Sequence, residues 1–415
     1  MPQNASSGLE TRPIPAEEFP AFLKVLFDAF GDDFRDDEYE IESLVFEPER
    51  SLAVFDDDAI VGTAAIFSRD LTVPGAVTPV AAVTMVGVAP THRRRGLLTS
   101  LMRRQLTELH ENEREPVAAL WASEAGIYGR FGYGPAARGA RLTTRTPRLR
   151  MRPGTDRGTG RIRRVELDHA RADLRAVYEQ LRPTTVGWLN RNGSWWDYRL
   201  WDPEHRRRGA TALRAAVYEE PEGRVTGYVV YSIKSDWAVS EPNNEVRIRE
   251  LAAATPEAHA AIWGFVAELD LVRGLTARNR PLDEPLQHLL ADPFAVELTA
   301  VDNLWVRVVD VGRALAARTY AQEIDVVLEV TDVVCPWNQG RWRLSGGPKG
   351  AACSRTTEAA DIALTSTELG AAYLGGTSLS ALAAAGRVDE QHDGAVAATS
   401  PAFAHDREPW CPEVF

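Results

Sequence analysis

Arg93, Arg94, Arg95 and Gly96 sit where an apolar run gives way to a helical repeat, in V-T-M-V-G-V-A-P-T-H-R-R-R-G-L-L-T-S from Val83 to Ser100. Val83, Met85, Val86 and Val88 read as a buried strand that ends at Pro90, which cannot donate to a ladder. Gly87, between Val86 and Val88, marks a bulge or a close approach by another backbone. Leu97, Leu98, Leu101, Met102, Leu106 and Leu109 then recur at helical spacing, with Thr91 as the expected N-cap. A helix start carries free N–H groups and the positive end of the helix dipole, so it attracts anions. Three arginines there oppose the dipole unless a polyanion sits among them. Arg93, Arg94, Arg95, Gly96, Leu97, Leu98 and Thr99 are therefore a candidate polyanion site; the alternative is three cations facing solvent.

A second constellation follows the apolar run P-V-A-A-L-W, a buried strand from Pro116 to Trp121. Ser123, Glu124, a short helix with Tyr128, and Gly129, Gly132 and Gly134 spaced around Phe131 and Tyr133 make a pattern more specific than a simple helical repeat. A tyrosine with its ordinary pKa of about 10 is protonated at neutral pH and can give up a proton. Tyr128 and Tyr133 both qualify, and either ring can instead be core.

The elements that must position these residues are ordinary for a globular protein. Of the 415 residues, 44% are hydrophobic and 26% charged, which excludes a largely disordered chain. The length implies several domains. No run of about 18 apolar residues predicts a membrane span. The N-terminus, M-P-Q-N-A-S-S-G-L-E, lacks the basic start and apolar stretch of a secretory signal. Cys335, Cys353 and Cys411 are scattered, which suits a reducing cytoplasm and predicts neither a disulfide framework nor a metal site. The net charge of −12 opposes non-specific nucleic-acid binding and favours cationic partners.

Phe19, Phe22, Leu23, Leu26 and Phe30 mark a helix that Gly31 ends. The acidic stretch after it is a solvated face or a vestibule for an amine, with Asp28, Asp32 and Asp33 as candidates. Ser51 to Phe67 reads as a hairpin around an Asp-rich turn. Arg150 to Arg164 is a Gly/Arg-rich connector without interleaved aromatics, hence a linker rather than a nucleic-acid patch. Arg214 to Tyr231 then echoes the hairpin, and Glu245 to Val266 echoes the strand, turn and helix. The second turn, T-P-E-A-H, has no arginine triplet and no glycine, so it offers an anion nothing cationic. Trp188, Trp195, Trp196 and Trp201 precede this unit and read as core or domain contact. From Val311 onward, strands with one or two covering helices predict a compact α+β unit.

Taken together, V-A-P-T-H-R-R-R-G-L-L and A-S-E-A-G-I-Y-G-R-F-G-Y-G resemble the enhanced intracellular survival (Eis) family of GNAT acetyltransferases. Leu98 departs from the small residue usual in the wider superfamily, and Trp121 stands where members of the Eis family carry histidine. The resemblance implies a mixed α/β fold, with tandem GNAT-like domains over 1–148 and 149–305 and a sterol-carrier-like α+β domain over 306–415. It implies acetyl-CoA as acyl donor, its pyrophosphate on the Arg93–Thr99 turn. Its pantetheine would lie along Val86, Gly87 and Val88, with Ser123 and Glu124 closing the other side. The implied general acid is Tyr128, with Tyr133 as rival. The implied base is the carboxylate of the last residue, Phe415, with Glu413 or a water chain as alternatives. The expected activity is direct transfer of acetyl to cationic amines (aminoglycoside-like molecules, polyamines or lysine side chains) by a cytoplasmic homohexamer, without nucleic acid or membrane. The alternative is a non-catalytic lipid carrier or interaction protein using the last domain.

Overall fold

The computed structural model describes residues 8–237 and 241–415, so Met1 to Ser7 of the N-terminus lie outside the described residues. Three sheets carry the chain. The first has seven strands in the order Leu9–Arg12, Ser51–Asp56, Ala59–Val73, Ala76–Val88, Val117–Trp121, Leu304–Val308, Gly134–Pro135. The second also has seven, in the order Glu297–Asp302, Arg138–Arg145, Val272–Arg280, Asn244–Ala253, Val225–Lys234, Arg214–Glu219, Arg161–Val165. The third is a five-stranded sheet of residues from 324 onward. No helix among the described residues is long and apolar enough to cross a membrane.

The first two sheets repeat one plan. In each, a hairpin leads into a strand, a helix crosses over, and the next strand pairs in parallel. The crossover helices are Leu97–Glu111 and Pro256–Ala267. Next to that parallel strand, however, each sheet takes a strand from the far side of the segment limits at 148 and 305. Arg138–Arg145 belongs to the second sheet, paired with Val272–Arg280, and Leu304–Val308 belongs to the first, paired with Val117–Trp121. The two halves have exchanged a strand, so neither closes its sheet alone.

The connector is less of a linker than its composition predicts. Arg161–Val165 forms the outer strand of the second sheet, paired with Arg214–Glu219. Its arginines suit an edge, where charge discourages further pairing. Arg161 and Arg163 both bond the Glu219 carboxylate, at 2.6 and 2.9 Å. The tryptophans are packing residues: Trp188, Trp195 and Trp196 are buried, and Trp201 is half-buried with the Arg206 guanidinium 4.9 Å from its ring.

The third unit docks on the exchanged strand. Helix Ser366–Ala372 starts with a reciprocal cap, Thr365 to the helix and Glu368 back, and covers Leu304–Val308. Gly134 is required there. A Cβ would fall 2.0 Å from the Thr367 carbonyl oxygen and 2.3 Å from the Ala371 nitrogen, both backbone atoms. Leu304, Val306 and Val308 of the first sheet, Leu328 of the third sheet and Leu369 of the docked helix share one apolar cluster.

Candidate active site

The parallel pairing between Ala76–Val88 and Val117–Trp121 lasts for only three residues, Val80 to Ala82 against Val117 to Ala119. Beyond it the strands diverge, and the backbone from Val83 to Val88 has no partner strand on that side. An open edge of this kind presents free N–H and C=O groups to an extended ligand. On the other side, pairing to Ala59–Val73 slips between Thr63 and Ala65, and Met85 takes a left-handed φ of 53°. The bulge therefore lies at Met85 and Val86, just before Gly87 where the sequence suggests it. Gly87 does have a close neighbour: a Cβ there would meet the Thr63 hydroxyl at 3.2 Å and the Ala29 Cβ at 3.3 Å.

Thr91 is not the helix N-cap. Pro90–His92 forms a short 3-10 turn, and the helix begins only at Leu97, after Gly96. Thr91 instead bonds the neighbouring His92 ring at 2.8 Å, and that ring reaches Asp56 at 2.8 Å. Arg94 and Gly96 are left-handed, with φ of 63° and 86°. Alternation of this sort turns successive N–H groups inward into an anion-binding concavity. Nothing lies within 4 Å of a Cβ built on Gly96, so its φ, and not lack of space, calls for glycine. No side chain caps the helix start, and Arg93, Arg94 and Arg95 are exposed around it while Leu97 is anchored in the core. The repeat unit is the opposite case. Thr255 caps helix Pro256–Ala267 by accepting from the Ala258 N–H at 3.1 Å, with Glu257 in the first turn.

Ser123 and Glu124 are exposed at the start of the short helix Ala125–Tyr128. Tyr128 is 5% exposed and packs in the cluster that also holds Val86, Val88, Leu97 and Leu98. Burial pushes its phenol above the usual value; the Ser123 hydroxyl pulls the other way and Glu124 adds to the rise. Tyr133 meets Tyr128 edge-on at 6.0 Å and lies deeper, with burial again raising its phenol. The Trp121 indole N–H, at the mouth of the divergence, is buried without a partner.

The chain end lies on the other side of the open edge. Trp410, Cys411 and Glu413 are buried. Glu413 accepts from Arg69 at 2.7 Å and from Arg191 at 2.8 Å, and Arg191 reaches on to Glu250 at 2.9 Å. Burial pushes the Glu413 carboxyl up, but Arg191, Arg69 and Arg199 outweigh it and hold it below the usual range. A carboxylate so occupied is not free to take a substrate proton. Phe415 is half-buried beyond it and lines a cavity of 680 Å³ with Leu26, Phe27, Thr84 and Met85. Tyr128 is not among the residues that line this cavity; the edge from Val83 to Val88 runs between the two groups. Of the acidic candidates, Asp32 lines the cavity and Asp28 and Asp33 do not. Another recess, of 720 Å³, beside Arg164, Asp168 and Asp202, lies on the second sheet, away from this edge.

Sequence reasoning missed Glu42, which also lines the cavity and accepts from the Tyr198 hydroxyl at 3.0 Å. Nothing marks it in an acidic stretch except its place on the buried side of helix Asp36–Ser43. Burial raises its carboxyl to about 7, against the Tyr198 bond and Arg206, and Glu38 adds to the rise. A raised acid stabilises the fold fully below its unfolded value of 4.5, and that contribution is lost as pH rises through 7. At about 1.4 kcal/mol per unit the loss reaches up to about 3–4 kcal/mol. Thermal unfolding of Glu42→Gln is therefore expected to show a shallower fall in Tm across this window than the parent protein. Parallel profiles would refute the assignment.

Residues 10–136 and 187–308 each match the acetyltransferase (GNAT) domain, and residues 311–412 match the sterol carrier protein domain. An uncharacterized N-acetyltransferase of Streptomyces avermitilis is 45% identical over 98% of this chain and 99% of its own. The N-acetyltransferase Eis of Mycobacterium tuberculosis is 37% identical over 84% of each chain. The crystal structure of Eis1 from Mycobacterium abscessus superposes with a TM-score of 0.83 at 35% identity, covering 98% of this chain and 100% of that one. The two GNAT units, the carrier-like unit and this whole-length similarity make the chain a member of the Eis family of GNAT N-acetyltransferases.

Proposed function

We propose that the protein transfers acetyl from acetyl-CoA directly to an amine, with both substrates bound at the open edge of Ala76–Val88. The observation that carries this reading is the conjunction of that unpaired edge with an uncapped, arginine-rimmed helix start. The N–H groups of the Arg93–Thr99 turn hold the pyrophosphate, with Arg93, Arg94 and Arg95 around it. Val86, Gly87 and Val88 pair with the pantetheine and polarise the thioester carbonyl. Ser123 and Glu124 flank the cofactor on its other side. The second unit, with its helix start already capped by Thr255, takes no CoA.

The amine nitrogen attacks the thioester carbonyl carbon, the carbon–sulfur bond breaks, and two proton transfers complete the step. The Phe415 carboxylate takes the proton lost by the amine. Tyr128, kept protonated by burial, gives its proton to the departing thiolate. Glu413 is excluded as the base by its two arginines. The acceptors are amines that arrive as cations, the class favoured by the net charge of −12: aminoglycoside-like molecules, polyamines or lysine side chains. The family implies a hexamer. Three free cysteines suit a reducing cytoplasm as the place of action.

Release of free thiol from acetyl-CoA in the presence of an amine panel tests the activity; no amine-dependent release would refute it. Tyr128→Phe is expected to keep acetyl-CoA affinity and lose about 10²-fold or more in turnover, the range for a positioned general acid. Near-normal turnover would remove Tyr128 from that role. Residues added after Phe415 turn its carboxylate into an amide, which accepts no proton at neutral pH. A C-terminal tag is expected to abolish transfer with acetyl-CoA affinity retained, whereas an N-terminal tag leaves activity intact. Full activity in a well-folded C-terminally tagged protein would falsify the terminal-carboxylate base.

A further inference from the structure

Strand Ala59–Val73 carries a single polar side chain between Ile60 and Phe67, that of Thr63. Thr63 is fully buried. Valine has the same shape, and a buried hydroxyl costs stability unless it is bonded. The Thr63 hydroxyl donates to the Met85 carbonyl on the neighbouring strand at 2.8 Å, the one hydrogen bond its side chain makes among the described residues. Met85 is the left-handed residue of the open edge. It and Val86 stand opposite Ala64 alone, between the pairs Ala65–Thr84 and Thr63–Gly87. The bond therefore ties the bulged residue back to strand Ala59–Val73.

The bulge decides what the edge presents. Thr84 and Met85, adjacent in sequence, both line the cavity beside Phe415, whereas Val83, Val86 and Val88 belong to the cluster that holds Tyr128. The side-chain alternation is thus reversed at Met85, and the backbone reverses with it. Ala89 N–H donates to the Val61 carbonyl at 2.9 Å, so ladder bonds fall on Gly87 and Ala89, and the N–H and C=O of Val88 turn to the open side. One residue fewer would exchange these directions. The second sheet lacks this device. Gly227 and Tyr228 stand opposite Ala253 and Ala252 as Gly62 and Thr63 stand opposite Val88 and Gly87. The Tyr228 hydroxyl bonds the Glu250 carboxylate and not a strand carbonyl, and no described residue from Asn244 to Ala253 is left-handed.

We propose that Thr63 is a positioning residue for acetyl transfer, its hydroxyl holding the Met85 carbonyl so that the backbone from Val86 to Val88 keeps the direction in which it meets the acyl donor. The proposal rests on the acetyl-CoA reading above and adds a residue that, being fully buried, touches neither substrate. Thr63 lies behind the edge, beneath helix Phe19–Phe30: a Cβ on Gly87 would meet the Thr63 hydroxyl at 3.2 Å and Leu26 at 3.4 Å. Without the hydroxyl, the left-handed Met85 loses a bond that offsets its backbone strain, and the bulge is free to relax. The pyrophosphate turn at Gly96 is a separate element and does not depend on this bond.

Thr63→Val removes the donor at constant shape, and Thr63→Ser keeps the donor while dropping a methyl group. In Thr63→Val, kcat is expected to fall about ten- to a hundredfold, the cost of a misplacement of about 1 Å at a reacting centre. Thr63→Ser is expected to recover most of that loss. Thr63→Ala removes the hydroxyl with no added apolar group to accommodate and is expected to follow Thr63→Val. Calorimetry with acetyl-CoA and with 3′-phospho-ADP, the fragment that ends at the pyrophosphate, reads the edge apart from the turn. Acetyl-CoA is expected to bind the parent protein more tightly than the fragment, and that advantage to shrink in Thr63→Val with fragment affinity unchanged. Full turnover and an intact advantage in both Thr63→Val and Thr63→Ala, or a loss in Thr63→Ser as large as in Thr63→Val, overturns the proposal and leaves acetyl-CoA binding at the edge standing. Equal affinity of the parent protein for the two probes overturns the edge reading itself, and this proposal with it.

Discussion

Glu413 is the point on which the geometry of the site depends. Its carboxylate is shared between Arg69 of the first sheet and Arg191, which precedes the second sheet's hairpin and itself grips Glu250. Breaking one partner of such a buried pair costs about 3–5 kcal/mol, whereas replacing the whole set by apolar residues is often neutral. Its contribution is thus placement more than net stability. Around it, Asn303 pairs twice with the Cys411 backbone, at 2.8 and 3.1 Å, and the Pro412 carbonyl accepts from Arg199. A slip of one residue would put Pro412 or Val414 opposite the arginines, and neither can pair with them.

The same fastening ties the two GNAT units to each other. The exchanged strands commit each sheet to the other, and the segment around Trp188 pairs with the long strand Ala59–Val73, with Thr72 N–H on the Trp188 carbonyl at 2.9 Å. The cavity is lined by Thr84 and Met85 of the first sheet's open edge and by Ile248, Arg249, Arg278 and Asn279 of the second sheet. One unit has kept an uncapped helix start and open edge; the other has closed its helix start with Thr255 and supplies a wall.

Much of this was legible in the sequence. The hairpins, the crossover helices and the strand-turn-helix at Arg93 follow from periodicity and punctuation, since each is local. The misplaced cap has a local cause too: periodicity starts at Leu97, but Thr91 offered a better capping side chain than Gly96, whose left-handed φ no propensity reveals. The strand exchange was not legible, because R-G-A-R-L-T-T-R in Arg138–Arg145 carries charge at a segment limit and its partner is far along the chain. The cavity-lining places of Arg249 and Arg278 were hidden for the same reason: they follow directly on the last paired residues, Ile248 and Ala277, of two strands far apart in sequence. Asp28, Asp32 and Asp33 read either as a solvated face or as a vestibule, because sequence alone does not give their directions; of the three, Asp32 lines the cavity.

The terminal residues show what a fixed anchor does for a short reach. Two residues follow Glu413, and at roughly 3.3–3.6 Å per extended residue they span about 7 Å. Val414 is 54% exposed, so its side chain contributes little to holding the end. Phe415 does the holding: its ring packs against the clusters of both Leu189 and Met85. Phe415 is therefore located by the two ion pairs of Glu413, to Arg69 and Arg191, behind it and by its own apolar contacts beside it.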